Sequence, residues 1–187
     1  MTTILGNEVA SALGQFASGI CLVTAHHQEK DYALVAASIC TASLEPPHIV
    51  VSVGNSRPIL PVLQDSVEWV VNVLPESCVE LVRRLTAGEF EHRTQAFEST
   101  AVTRDSATGA RLVTDALAYW RCRTRAALPV GGQQVILAEV TAANYIRTGR
   151  PLVRWHRDFH QVRQYQPGTT DRQPAENPPA PDLGSAD

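Results

Sequence analysis

Residues 33–56 read ALVAASICTASLEPPHIVVSVGNS, and they carry the clearest structural pattern in the chain. After its double proline, Ile49, Val51 and Val53 occupy every second position, and a period of two with β-branched residues predicts a strand. The prolines at 46–47 cannot donate a backbone hydrogen bond, so they lie ahead of the strand and keep the residue before them extended. The sequence therefore predicts a turn at the prolines followed by an apolar strand.

Small side chains dominate the part of this stretch that precedes the prolines. They are Ala33, Ala36, Ala37, Ser38 and Ala42. Such a run lets a second surface approach the backbone closely. Two interpretations stay open for that surface: a neighbouring strand in an ordinary β core, or a flat ligand.

The composition restricts the class of protein. A chain of 187 residues, 44% of them hydrophobic, supports one domain with an ample core. Its net charge of −3 offers no basic surface to phosphate backbones, so nucleic acid is not an expected partner. The apolar runs fall short of the roughly 20 residues that a membrane helix needs, and no signal peptide is evident. We therefore expect a cytoplasmic protein that does not enter a membrane.

Cysteine and histidine spacing gives no indication of a metal site. The four cysteines are far apart and form no CxxC pair, which favours small buried thiols over metal ligands or disulfides. His156 and His160 are four residues apart, but no HExxH motif accompanies them. No bound metal is expected.

Apolar residues at helical spacing occur twice. Val9, Ala12, Leu13 and Phe16 predict a short amphipathic helix near the start, and ESCVELVRRL at residues 76–85 predicts a second helix. The remaining patterns favour strands. They lie at 20–25, 49–54, 68–74, 118–126 and 134–141, with a hairpin signal at Gly131 and Gly132 between the last two.

Other segments are less regular. Residues 151–162 supply one more strand or a docking segment, residues 26–31 read as a polar, hairpin-like connection with a solvated turn, and residues 88–109 read as a surface excursion. The proline-rich residues 167–187 hold too few apolar side chains to offset the entropy of ordering, so we expect a disordered tail after a single domain at 1–166.

Aromatic and basic side chains near the end of the chain each allow two interpretations. Trp120, Trp155 and Phe159 are expected in the core or in a dimer interface. Arg121, Arg123 and Arg125 share one face of a strand, which is either solvated or turned to an anionic ligand or partner.

Several short strands, few helices and hairpin spacing favour a mainly β, antiparallel barrel with a few short helices over a doubly wound sheet. The order of the segments over residues 9–162 resembles the flavin reductase-like family of FMN-binding split barrels. The most specific pieces are SLEPP at 43–47, VNVL at 71–74 and the segment that ends at Cys122.

This resemblance implies a homodimeric, six-stranded split β-barrel with Greek-key order. It also implies an enzyme that reduces FMN or FAD with NAD(P)H and supplies the reduced flavin to a monooxygenase. The flavin-binding positions carried over from the family are Val35, Ala36, Ala37 and Ser38 for the ring and ribityl chain, and Asn55, Ser56 and Arg57 for the phosphate.

The chain departs from the family at three of the positions that matter. Val35 and Ala37 stand where the family has threonine and serine, so two hydroxyls are missing from the expected cofactor wall. Gln133 stands where many members have histidine; it is the candidate catalytic residue, yet its amide forms hydrogen bonds without titrating near neutral pH.

Three functions follow from these residues. The first is an NAD(P)H:flavin oxidoreductase that acts in a biosynthetic pathway. The second is a flavin-independent enzyme that uses the barrel pocket to cyclise or rearrange an apolar intermediate, with catalysis supplied by positioning. The third is a flavin-carrying or partner-binding module without activity.

Overall fold

The structure is a computed structural model that describes residues 4–65, 67–87, 97 and 100–165. The predicted tail at 167–187 and the first part of the predicted surface excursion, residues 88–96, lie outside the described residues. The disorder of the tail and the domain boundary at residue 166 therefore stay predictions.

The described residues form short helices and many strands. The helices are α1 (Ile4–Gly14), α2 (Leu60–Gln64) and α3 (Val79–Ala87), with a 3-10 turn at Glu76–Cys78. The strands are β1 (Ser18–Gly19), β2 (Cys21–His27), β3 (Lys30–Ala36), β4 (Ile39–Leu44), β5 (Pro47–Gly54), β6 (Glu68–Val73), β7 (Val102–Arg104), β8 (Arg111–Val113), β9 (Ala118–Val130), β10 (Gln133–Tyr145), β11 (Leu152–Trp155) and β12 (Asp158–Gln161).

The main sheet closes into a six-stranded barrel through one bent strand. Its strand order is β3-β2-β6-β9-β10-β5-β4, so the two strands at its ends, β3 and β4, follow each other in the chain. Only Ala37 and Ser38 separate them. β3 pairs with β2, and β4 pairs with β5. Strands β3 and β4 together therefore act as one bent strand that joins the two edges of the sheet. The predicted mainly β, six-stranded antiparallel barrel with few short helices is confirmed.

Alternating burial along the strands builds the interior of the barrel. Ile49, Val51 and Val53 of β5 are buried, as their period of two predicts, and they belong to one cluster with Ile136 of the neighbouring strand β10 and Trp69 of β6. Removing a side chain of this size from water stabilises the fold by about 1.5–3 kcal/mol. The interior is therefore filled by packed side chains.

A second apolar cluster covers the outside of the barrel. Leu81, Val82 and Leu85 of α3 pack there with Leu22 of β2 and Leu152 of β11. Their three- and four-residue spacing places them on one face of the helix. The helix predicted from ESCVELVRRL is thus confirmed, and it buries the face that its pattern indicates.

Three of the predicted segments contain more strand than their patterns indicate. Strands β2 and β3 continue through residues 26–31 and leave only Gln28 and Glu29 in the turn, both with positive φ. Residues 151–162 form a two-stranded hairpin, β11–β12, which pairs with β1. The described part of 88–109 contains β7, which pairs with β8. Pairing with another strand determines the structure of all three segments. The periodicity of residues within one segment does not reveal that pairing.

The cysteines are mostly buried thiols. Burial raises the pKa of Cys21 to about 12, and burial followed by the charge of Glu68 raises that of Cys122 to about 12. Cys78 is also buried, but Cys40 is exposed on β4, so the expectation of buried thiols is wrong there. No helix in the described ranges is long and apolar enough to cross a membrane.

Candidate active site

A cleft of about 600 Å³ lies beside the bend that joins β3 to β4. Its walls come from α1, from the bend, from the outer face of β5 and from the β11–β12 hairpin. The lining includes Leu13, Phe16, Ala37, Ser38, Ile39, Cys40, Val50, Ser52, Arg154, Trp155, His156 and Arg157. This volume lies within the roughly 300–1,000 Å³ of small-molecule sites.

Strand alternation explains the chemistry of the inner wall. Because Val51 and Val53 point into the barrel, Val50 and Ser52 point out of it and into the cleft. Ser38 lies opposite, at the bend, where its carbonyl accepts a hydrogen bond of 2.9 Å from the amide of Ser52. The wall is therefore apolar with two hydroxyls, which suits a flat ring with polar edges.

A smaller cavity of about 80 Å³ lies farther along β3, on the side of α3. It is lined by Ala33, Leu34, Val35, Arg57, Leu85 and Thr86. Val35 lines this cavity and Ala37 lines the cleft; the two residues are roughly 7 Å apart along the chain, and both pack towards the outer cluster. Arg57 is exposed, and its side chain makes no hydrogen bond or ion pair with another described residue. A guanidinium is thus available at this smaller cavity.

The loop that carries Arg57 docks on the β9–β10 turn. The Asn55 amide donates to the Gly132 carbonyl at 3.0 Å, and the Asn55 side chain donates to Gly131 at 3.4 Å. A Cβ on Gly54 would lie 3.6 Å from both Arg57 Cγ and Gln133 Nε2. Gly131 has a φ of +56°, which glycine adopts without strain, so the predicted hairpin is confirmed at the predicted residues.

The structure brings the predicted site residues together only in part. Ala37 and Ser38 line the cleft, whereas Val35 and Arg57 line the small cavity. Ala36 points into the barrel interior, so only its backbone can face a ligand.

Three further predicted residues, Asn55, Ser56 and Gln133, line neither cavity. Ser56 is exposed on the loop between β5 and α2, and Gln133 starts β10 at the turn. Gln133 therefore lies beside Arg57, at the end of the barrel, rather than at the cleft.

Sequence reasoning missed the hairpin side of the cleft. Arg154, Trp155, His156 and Arg157 line it. Trp155 is 41% exposed and therefore lies outside the core, so its alternative place in a dimer interface stays a prediction, while Phe159 packs against the outer cluster. The clustering of cations and aromatic rings in RWHR was the available signal.

The arginines of β9 bind carboxylates, so the solvated-face interpretation is the closer one. Arg121 Nη2 lies 2.8 Å from Asp105 Oδ1, Arg123 contacts Glu68, and Arg125 contacts Glu139. Burial alone would raise the pKa of Asp105, but hydrogen bonds from Arg121 and Thr108 outweigh it and lower that pKa. This face offers little to an anionic ligand.

Histidines near the cleft are held by ordinary hydrogen bonds. His156 Nε2 lies 3.0 Å from Gln15 Oε1, and His160 Nε2 lies 3.2 Å from the Trp155 carbonyl. No group of three metal-binding side chains occurs within the ranges that the structure describes.

The residues present fit a flavin. The apolar wall at Ala37 and Val50 suits the faces of the ring, and the hydroxyls of Ser38 and Ser52 suit its polar edge. Arg57 supplies a cation for the phosphate.

Comparison with known proteins identifies the family. The family described as "Flavin reductase like domain" matches residues 13–163. A relative in Thermus thermophilus, the reductase component of 4-hydroxyphenylacetate 3-monooxygenase, is 30% identical over 81% of this chain and 93% of its own length. The actinorhodin polyketide dimerase of Streptomyces coelicolor is 28% identical over 79% of this chain and 81% of its own length.

Other relatives are much longer than this chain. Diflavin flavoprotein A 1 of Synechocystis sp. is 26% identical over 73% of this chain, which spans only 24% of that protein. Its activity as a whole therefore does not carry over.

Solved structures agree with the family. BorF, the flavin reductase component of a bacterial two-component tryptophan halogenase, has a TM-score of 0.75 at 25% identity and covers 85% of this chain and 99% of its own. Flavin reductase HpaC complexed with NADP+ has a TM-score of 0.72 at 20% identity over 83% and 97% of the two chains, which shows the fold. The chain described here belongs to the flavin reductase-like family.

Proposed function

We propose that this protein reduces FMN or FAD with NAD(P)H and releases the reduced flavin to a partner monooxygenase. The observation that carries the proposal is the cleft at the β3–β4 bend, with Ala37 and Ser38 at its wall, together with the smaller cavity farther along β3, which Arg57 lines from the loop after β5. The reductase component from Thermus thermophilus supports the coupling to a monooxygenase.

The chain's own residues would bind and orient the two nucleotides. Ala37 and Val50 exclude water from one face of the ring, Ser38 and Ser52 bind its polar edge, and Arg57 binds the phosphate. A bound flavin supplies the redox chemistry by accepting a hydride from the nicotinamide. Gln133 acts by hydrogen bonding, since its amide neither takes nor gives a proton near neutral pH.

The missing hydroxyls favour a flavin that exchanges. With Val35 and Ala37 in place of hydroxyl-bearing residues, each polar flavin group left without a partner costs about 1–3 kcal/mol of binding free energy. Weak binding suits a protein whose product must leave for a partner. We expect detectable FMN binding and slow turnover.

A homodimer belongs to the same proposal. Leu44 of β4 is 84% exposed, and Leu128 and Val130 near the end of β9 are 62% and 51% exposed. Two-fold dimers are the commonest assembly, and we expect a dimer contact to cover some of these exposed apolar side chains. Sedimentation at micromolar concentration should give a dimer, and a monomer would contradict this part of the proposal.

The proposal is tested by titrating the purified protein with FMN and then adding NADH or NADPH. We expect quenching of flavin fluorescence on binding and NAD(P)H oxidation that requires both FMN and protein. Ser38→Ala serves as the site variant and Thr41→Ala, exposed on β4 outside the cleft, as its control.

A second function is favoured by the apolar side chains at positions 35 and 37. They leave a wall suited to an apolar intermediate, and the actinorhodin polyketide dimerase is one of the relatives. If the protein binds no flavin at tens of micromolar and oxidises no NAD(P)H, a flavin-independent cyclisation or rearrangement takes the place of the reductase proposal.

A further inference from the structure

We propose that the β11–β12 hairpin makes the enzyme prefer NADPH to NADH, with Arg154 and Arg157 binding the additional phosphate of NADPH. This inference rests on the proposed function, because it concerns the second nucleotide of that reaction. It adds a specificity determinant at residues to which neither the sequence patterns nor the family resemblance assigned a role.

Charge is the first observation. The whole chain has a net charge of −3, yet the residues that line the cleft include Arg154, Arg157 and His156 and no aspartate or glutamate. Both arginines are exposed, and neither side chain makes a hydrogen bond or ion pair with another residue in the part of the chain that the structure describes. Asp158, on the same hairpin, does not line the cleft. The cleft therefore attracts anions.

Backbone conformation is the second observation. His156 has a φ of +48° and Arg157 a φ of +70°. A two-residue hairpin turn with positive φ at both positions favours glycine and asparagine, because side chains with a Cβ are strained there. Two strained residues that both line a cleft point to a function for their side chains.

Rigidity is the third observation. The Trp155 indole N–H donates to the Gln15 carbonyl at 3.1 Å, and His156 Nε2 lies 3.0 Å from the Gln15 side chain. The hairpin is thereby fixed to the segment that follows α1. His160 packs edge-on against Trp155 with ring centroids 5.2 Å apart. The aromatic surface beside the arginines is therefore preformed, which lowers the entropy lost on binding.

Anion-binding side chains next to an exposed aromatic ring suit a nucleotide, whose base stacks while its phosphate pairs with guanidinium. The proposed function already assigns the flavin phosphate to Arg57, in the smaller cavity. Arg154 and Arg157 are then left for the nicotinamide nucleotide. A carboxylate favours the ribose hydroxyl of NAD, whereas arginine accommodates the phosphate of NADP. The cleft is lined by arginines and by no carboxylate, so NADPH is the expected co-substrate.

The kinetic test compares kcat/KM for NADPH and for NADH at saturating FMN. We expect the wild-type protein to prefer NADPH by about tenfold or more, in line with a charge-assisted contact at an exposed site. In the double variant Arg154→Ala, Arg157→Gly this ratio should fall to about 1 through a loss confined to NADPH. Arg157→Gly also removes the strained side chain, so misfolding cannot explain the loss.

Two variants sharpen the result. Arg157→Lys should keep part of the preference because it keeps the charge, and Arg83→Ala, exposed on α3 outside both cavities, should keep all of it. A wild-type preference for NADH, an equal use of both, or a double variant that slows NADH and NADPH alike would overturn the inference.

A binding measurement separates this inference from the proposed function. Calorimetric titration of the flavin-free protein should show adenosine 2′,5′-bisphosphate binding about tenfold tighter than adenosine 5′-monophosphate, with the difference lost in the double variant. That result without any NAD(P)H oxidation would contradict the reductase proposal and leave the phosphate site standing. Oxidation of both NADH and NADPH, with equal affinity for the two adenosine phosphates, would support the reductase proposal and contradict the phosphate site.

Discussion

The backbone amide of Ser52 donates to the backbone carbonyl of Ser38 at 2.9 Å, and both side chains line the same cleft. This bond ties the bend between β3 and β4 to the outer face of β5. The barrel is thus closed, and the wall of the candidate site is formed, by the same two residues. Main-chain atoms make the structural contact, so the hydroxyls can serve a ligand without a cost to the fold.

Ser38→Ala should therefore weaken FMN binding while leaving the melting temperature unchanged. The loss of one neutral hydrogen bond corresponds to about 0.5–1.5 kcal/mol of binding free energy. Quenching of flavin fluorescence measures the Kd, and Thr41→Ala is the control. An unchanged Kd would show that the hydroxyl of Ser38 does not contact the flavin.

Arg57→Ala should weaken FMN binding by about 1.5 kcal/mol, at the lower end for charged hydrogen bonds because Arg57 is exposed. Riboflavin, which has no phosphate, should bind both proteins equally. Arg83→Ala provides a control for the loss of one surface charge. Equal losses for FMN and riboflavin would contradict a phosphate contact.

Ala37→Ser should tighten FMN binding by about 0.5–1.5 kcal/mol, because it restores a hydroxyl to the cleft wall. The same titration measures the gain, and Ala42→Ser on exposed β4 is the matched control. No change in Kd would indicate that the ring does not lie along this part of the bend.

The sequence predicts those structural features that neighbouring residues determine. Alternation at Ile49, Val51 and Val53 predicts which face of β5 is buried, and Gly131 predicts the β9–β10 turn, because both follow from neighbouring residues. The closure through Ala37 and Ser38 was not predictable, since small residues suit either a strand neighbour or a ligand.

The candidate site was harder to predict because distant segments build it. Arg57 belongs to a loop after β5, yet it shares a cavity with Val35 of β3 and Leu85 of α3. Arg157 reaches the cleft only because the hairpin turns at positive φ, a conformation that its residue type does not favour. The family resemblance proposed Ser38 and Arg57 as flavin-binding positions, whereas only the tertiary structure shows that the β11–β12 hairpin lines the cleft.

Asp31 makes the stability of the fold depend on pH. Burial alone would raise its pKa, but hydrogen bonds from Arg104, His26 and Arg111 outweigh burial and hold that pKa well below its usual range. Arg104 binds both carboxylate oxygens at 2.9 Å and Arg111 binds one at 2.8 Å. These contacts join the β2–β3 hairpin to the β7–β8 hairpin.

Because the pKa is lower in the folded state, the stabilisation is present above the unfolded pKa of about 3.9 and is lost as the pH falls below it. Asp31→Asn should lower the free energy of unfolding by about 2–3 kcal/mol at pH 7, an estimate between exposed and buried ion pairs, and by much less near pH 2, where the pH approaches the lower pKa of the folded state. Urea unfolding at both pH values measures this. Asp65→Asn, 70% exposed, should change it by no more than about 0.5 kcal/mol, and an equal loss at both pH values for Asp31→Asn would contradict the account.

Reduction of FMN under anaerobic conditions shows whether the protein itself transfers a hydride from a nicotinamide nucleotide to the flavin. Purified protein, FMN and a nicotinamide nucleotide are mixed without oxygen or a partner enzyme, and the visible absorbance of the oxidised flavin is followed. We predict that this absorbance is lost at a rate proportional to protein concentration, faster with NADPH than with NADH and slower in the Ser38→Ala variant. Absorbance that stays constant with both nucleotides at tens of micromolar protein would contradict the claim that this cleft reduces flavin.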